Sequence, residues 1–305
     1  MSAQHERDLF PDLPGESRSD CARCPLAREH VEAPWPWRLD DDGRCCTYHP
    51  TLFNFRAGRA LARGGESAAL VLARIARRDG VTRLGIGPPA GWIERYDGGT
   101  AFGRDASLRC PYWVGGAHTC GIWADRPAVC RAWFCRHDHG FEAASTWSQL
   151  GDAVGDAEEA LARRLCDQGA PPDADRADAS EWADWFRWCA ERATILADGA
   201  PPDPDERVLA HRDALVRIRS GARPALPDRL VPSVSAMWRA PAPADERVLL
   251  AGYSTFDAID LPASVFTFLS RLDGATAWRD ALAGVQGVDE DVVRELYRTG
   301  VIRAA

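Results

Sequence analysis

The chain contains no lysine; all 37 of its basic residues are arginine. That absence excludes Schiff-base chemistry and the phosphate-binding lysine of a P-loop. No apolar run approaches the roughly 20 residues that a membrane span requires. The first 15 residues carry Asp, Glu, Arg and Pro and lack the apolar centre of a secretory signal. These absences predict a cytoplasmic protein with no membrane partner. No G-x-S-x-G, H-E-x-x-H or Walker pattern occurs. Gly85-Ile86-Gly87-Pro88-Pro89-Ala90-Gly91 has the wrong final spacing for a dinucleotide fingerprint and reads as a turn. Asp40-Asp41-Asp42-Gly43 has no EF-hand glutamate at the right distance and reads as a solvated turn.

What is present is a globular composition, 46% hydrophobic and 27% charged over 305 residues, with room for one large domain or two ordinary ones. Charge is uneven. Residues 1–150 hold 19 Arg against 18 acidic residues, and residues 151–305 hold 18 against 27. The acidic second half argues against nucleic acid as a partner.

Eight of the ten cysteines lie in the first half: Cys21, Cys24, Cys45, Cys46, Cys110, Cys120, Cys130 and Cys135. In a reducing compartment disulfides do not persist, and clustered thiols read first as metal ligands. Cys21-x2-Cys24 is the common two-ligand clip and Cys45-Cys46 a vicinal pair. Arg23, Arg44, Arg109, Arg131 and Arg136 each adjoin one of these cysteines, where a guanidinium would favour the metal-binding thiolate. His137-Asp138-His139 could supply a ligand but reads better as an exposed polar turn, and His49 also lies close in sequence. Cys166 and Cys189 fall on helical apolar patterns and are expected to be core residues.

The pattern along the chain predicts an α+β protein in three parts. Residues 16–140 form an irregular, cysteine-rich, metal-centred domain, 141–222 a helical segment, and 245–305 a small winged-helix-like module. Helices are expected over 57–78, 145–167, 180–197 (Ser180 as N-cap) and 204–220, with short strands and turns over 81–109. The Pro-rich stretch 223–244 reads as a linker. In the last module, strands at 248–251 and 255–259 would pair, Pro262 would open a helix, and Thr276 would cap the next.

The segment Cys110-Pro111-Tyr112-Trp113, Cys120-Gly121-Ile122-Trp123, Arg126-Pro127-Ala128-Val129-Cys130-Arg131 and Cys135 resembles the YkgJ-type cysteine-cluster family, described as zinc- or iron-chelating. The likeness covers about residues 20–140. It departs from the family pattern in the 20 residues between Cys24 and Cys45, which contain Trp35-Pro36-Trp37. The resemblance implies that all eight cysteines are ligands, that Arg126-Pro127 shapes the turn between two of them, and that Arg131 supports a ligand from outside. Eight thiolates can hold two zinc ions or two iron–sulfur clusters, and four can hold one cluster. An iron–sulfur cofactor is expected, with zinc the alternative. Trp113, Trp123 and Trp133, each three residues after a cysteine, are candidates to wall the site against water.

The same pattern is similar to flagellin lysine N-methylases, which makes a protein-modifying enzyme the second reading. A zinc-stapled scaffold for a protein partner is the third. The last module weakly resembles PqqD-like peptide-recognition domains, which implies a peptide or protein partner held at a sheet edge.

Overall fold

The computed structural model describes residues 16–19, 21, 23–27, 38–40, 44–96, 102–196, 206–221, 225–233, 236–239 and 247–305. Trp35-Pro36-Trp37 and Asp41-Asp42-Gly43 lie outside these residues. The elements are a mixture of helices and short strands, an α+β arrangement.

Leu52–Phe53 (β1) runs directly into Asn54–Arg63 (α1), followed by Gly65–Arg77 (α2). The apolar periodicity predicts one helix here, but Gly64 and Gly65 both adopt positive φ, 73° and 58°, and split it in two. Glycine reaches that region without a Cβ clash. Val81–Thr82 (β2) and Gly85–Ile86 (β3) complete a small sheet in which β3 is central, with Leu52 and Val81 both opposite Ile86. The start of the expected glycine turn is therefore a strand. Trp92–Tyr96 (α3) and the hairpin of Trp113–Val114 (β4) with Thr119–Cys120 (β5) follow, then Ala128–Ala132 (α4).

Three longer helices come next: Gly140–Gln168 (α5), Ala179–Leu196 (α6) and Glu206–Arg219 (α7). α6 is capped by Asp178, not Ser180. Asp178 accepts from the N–H groups of Ser180 and Glu181, while Glu181 accepts from the N–H of Asp178. This reciprocal pairing satisfies donors that the helix itself cannot.

One core lies between α1, α2, α5 and α6, filled by Leu52, Phe55, Val71, Ile75, Ile86, Leu165, Trp182, Phe186 and Cys189. Cys189 is fully buried and Cys166 partly so, with the Cys166 thiol donating to the Arg83 carbonyl. Asn54, with no exposed surface, ties the start of α1 to its neighbours by donating to the carbonyls of Arg83 and Ala162, both at 3.1 Å. α1 and α6 meet at Gly58, where a Cβ would stand 1.8 Å from the Phe186 carbonyl oxygen.

A second core belongs to the C-terminal part, around Leu250, Phe268, Trp278, Val293, Leu296 and Val301. Its elements are Leu230–Pro232 (β6), Ala236–Arg239 (β7), Arg247–Ala251 (β8), Ile259–Pro262 (β9), Val265–Ser270 (α8), Trp278–Leu282 (α9), Glu290–Arg298 (α10) and Ile302–Ala304 (β10). β8 is central between β7 and β9, and β6 pairs antiparallel with β10. Residues 223–244, which read as a linker, thus contribute two strands to this part. β9 begins at Ile259, the last residue of the expected strand, and residues 252–258 form a loop. Pro262 ends β9 rather than opening a helix. Thr276 does not cap α9; its hydroxyl donates to Asp273, whereas Asp289 caps α10 through the Val292 N–H. Among the described residues no helix is long and apolar enough to cross a membrane.

Gly58→Ala should lower stability by about 1–3 kcal/mol, because backbone rather than a yielding side chain blocks the new methyl. Gly155→Ala, on α5 with nothing within 4 Å of the added Cβ, should raise stability by about 0.5–1 kcal/mol. Chemical denaturation of both variants checks the pair.

Candidate metal centre

None of the ten cysteines is in a disulfide. Packing, backbone pairing and electrostatics divide them into three groups. Cys166 and Cys189 stand together in the helical core, the core on which Cys110 and Cys120 also pack.

The first group of four collects around Cys110. Its N–H donates to the Cys46 carbonyl at 2.7 Å, and its carbonyl accepts from the Trp113 N–H at 3.0 Å. Trp113 in turn faces Cys120 across the β4–β5 hairpin. Cys110 and Cys120 both pack on the main core. Burial pushes the Cys110 thiol well up, and the charges that add to this are those of Cys46, Cys130 and Cys120. Burial also raises Cys120, and it raises Cys130 to about 12; both feel Cys46. Cys130 is carried on α4, which follows Arg126-Pro127.

The second group has its own small apolar cluster of Cys24, Leu26, Ala27, Leu39 and Cys135, with Cys45 and Phe256 packed against it. An isolated bridge between Ala27 and Leu39 holds the N-terminal segment there. Cys21 joins through Ser19, whose carbonyl accepts from the Cys21 thiol and whose hydroxyl lies 3.8 Å from Cys135 Sγ. Burial raises Cys135 to about 11, with Cys24 and Cys21 adding to the effect.

The vicinal pair joins the groups. A hydrogen bond between the two thiols holds Cys45 up and Cys46 down; Cys45 otherwise feels Cys21 and Cys135, and Cys46 feels Arg126 and Arg44. The Cys21-x2-Cys24 clip therefore gathers with Cys45 and not with Cys46.

The expected arginine roles change. Arg131 is taken up by the buried carboxylate of Glu158, which also accepts from Arg56 and the Ala128 N–H. Arg136 donates to the Phe256 carbonyl and Arg44 to the Cys21 carbonyl, while each keeps part of the expected role, Arg136 lowering Cys135 and Arg44 lowering Cys46. The guanidinium within the field of Cys120, Cys130, Cys21 and Cys46 is that of Arg126, which stacks 3.3 Å from the centre of the Trp123 ring. Its position between two cysteines marked it only as a turn residue.

The aromatic wall is also differently built. Trp123 and Trp133 are 54% and 39% exposed, whereas Tyr112 is 1% exposed. Phe256 meets Phe102 and Trp133 over the second group. His137 is buried rather than exposed, beside Glu16, and Asp138 accepts from Ser17 and Arg18. Burial opposes ionisation of Glu16, but the His137 ring, the Asp138 N–H and Trp147 outweigh it and hold its pKa below the ordinary value. His49 Nε2 faces the Arg109 carbonyl.

The C-terminal part closes over the second group through residues 253–257. The Ser254 hydroxyl donates to the Cys135 carbonyl, the His137 N–H donates to the Tyr253 hydroxyl, and Tyr253 donates to Asp257. Asp257 also accepts both Arg18 Nη groups, at 2.7 and 2.5 Å.

Among the described residues no three His, Cys, Asp or Glu side chains converge tightly enough to hold a metal ion. The chemistry of the donors nevertheless suits a soft metal, since all eight are sulfur. The Tyr112 hydroxyl is buried without a hydrogen-bond partner and lies in the field of Cys110 and Cys120, where a thiolate or sulfide acceptor would satisfy it. Comparison with protein-family models, curated proteins and solved structures returns no match to this chain.

Two outcomes test this geometry. Glu158→Ala leaves two arginines without their carboxylate and should cost about 3–5 kcal/mol in chemical denaturation. Phe256→Ala should speed iodoacetamide labelling of Cys24 and Cys135 several-fold, with Cys110 unchanged, read by peptide mass spectrometry.

Proposed function

We propose that the chain is a cytoplasmic metal-binding protein whose N-terminal half carries a cysteine-ligated centre, iron–sulfur first and zinc second. The observation that supports this best is selective gathering. The eight cysteines of the irregular half lie in two adjoining neighbourhoods, while Cys166 and Cys189 serve the helical core as ordinary apolar side chains. Sulfur donors of this number, brought together by turns, two-residue strands and one five-residue helix, are what a metal-organised segment requires. Such a centre, when bound, would supply electron transfer if it is iron–sulfur and a closed structural staple if it is zinc. The YkgJ-type resemblance of residues 110–135 points the same way.

The C-terminal part is read as a winged-helix-like module that presents a peptide or protein to this centre. Ser254 sets it against the cysteine centre through the Cys135 carbonyl, and modification of a bound protein, lysine N-methylase-like chemistry included, is the second reading. A zinc-stapled scaffold is the remaining reading.

Metal analysis and a visible spectrum of protein purified without oxygen test the proposal. Brown protein with iron and acid-labile sulfide is the expected result. Colourless protein with about two tightly held zinc ions per chain would select the scaffold reading. Metal-free folded protein would overturn both.

A further inference from the structure

We infer that the eight cysteines form two separate four-thiol sites, Cys46, Cys110, Cys120 and Cys130 in one and Cys21, Cys24, Cys45 and Cys135 in the other. The inference rests on the metal-binding reading above and assigns its ligands. Sequence order would have grouped 21, 24, 45 and 46 against 110, 120, 130 and 135. The fold exchanges one member of each set.

Three independent observations carry the exchange. Cys24, Cys45 and Cys135 share one apolar cluster with Phe256, whereas Cys110 and Cys120 pack on the other core. The Cys46 carbonyl is the acceptor for the Cys110 N–H, which fixes the vicinal pair against the β4–β5 side. Ser19 links Cys135 to Cys21 through its carbonyl and hydroxyl. Cys45 and Cys46 lie in the turn 44–47 with their thiols hydrogen-bonded to each other, so the two sites would adjoin at the vicinal pair. The C-terminal loop packs on the second site, through Phe256 and Ser254. Each takes a soft cation that accepts four thiolates, zinc or the irons of a cluster.

The test compares single and paired serine variants of the full-length protein purified without oxygen. Cys24→Ser and Cys110→Ser should each lose about half of the bound metal. Cys24→Ser with Cys135→Ser should lose no more than Cys24→Ser alone, and Cys24→Ser with Cys110→Ser should lose nearly all. The discriminating pair is Cys45→Ser, which should match Cys24→Ser, and Cys46→Ser, which should match Cys110→Ser. Loss of all metal in every single variant, or a Cys45 variant that behaves like a Cys110 variant, overturns the assignment. A metal-free wild-type protein instead overturns the reading beneath it.

Should serine variants fail to fold, cobalt(II) added to the reduced wild-type protein reports the same division. Two sites predict protection of about four thiols from a disulfide reagent per cobalt bound, ending near two cobalt per chain. Protection of all eight by the first equivalent overturns it.

Discussion

The Glu158 carboxylate, 1% exposed in the middle of α5, is the fixed point around which the cysteine half is arranged. It accepts from Arg56 on α1, from Arg131 on α4 and from the Ala128 N–H at the start of α4. A carboxylate in that setting is tolerable only if its charge is matched and its lone pairs are filled. Both conditions are met by groups from two elements, α1 and α4, so neither can shift without exposing the carboxylate. α4 is only five residues long and could not hold its own place by helix propensity. Glu158 holds it, and with it Cys130.

The same logic of few but buried polar anchors joins the two ends of the chain. Asp257, 1% exposed, receives the Arg18 guanidinium and the Tyr253 hydroxyl, while Glu16 receives Trp147 and the Asp138 N–H. Gly140 and Gly252 allow the backbones to close up here. A Cβ on Gly140 would meet the Arg298 carbonyl at 2.0 Å, and one on Gly252 would meet that of Thr299 at 2.0 Å. The N-terminal segment, the turn after Cys135 and the loop 253–257 are therefore fastened as one layer over Cys24 and Cys135.

How much of this was legible in the sequence depends on the range of the interaction. The long helices, the core placement of Cys189 and the existence of a strand-and-helix unit at the C-terminus follow from local periodicity, and the structure has them. The break at Gly64–Gly65 was written in the sequence as a glycine pair and needed only the weight of two positive-φ residues against one apolar stripe. The β6–β10 pairing was not legible, because three residues of a Pro-rich stretch find their partner some 70 residues later. The arginines show the limit most clearly. Adjacency to a cysteine points to Arg131 and Arg136; Arg131 is taken up by a carboxylate, while Arg136 donates to a carbonyl and also lowers its neighbour Cys135. Arg44 and Arg136 lower Cys46 and Cys135, but Arg126, adjacent to no cysteine, is the one that lies in the field of Cys120, Cys130, Cys21 and Cys46 together.

That placement bears on how a chain without lysine could carry thiolate sites at all. Four thiolates around one divalent ion leave a net charge of minus two, and burying that charge is costly unless cations stand near. Burial lowers the pKa of Arg126, and the thiols of Cys120, Cys130, Cys21 and Cys46 oppose that shift. Guanidinium keeps its proton under such burial where an ammonium would shed it. Arg126 faces members of both groups of cysteines, and Arg44 reaches Cys46 electrostatically while donating to the Cys21 carbonyl. Two cations shared between two anionic sites would offset charge in both and also link their stabilities, since filling one site would strengthen the field that holds each arginine in place for the other. The vicinal pair and these two guanidiniums would thus act as one device: two hydrogen-bonded thiols where the two groups adjoin, with positive charge beside them.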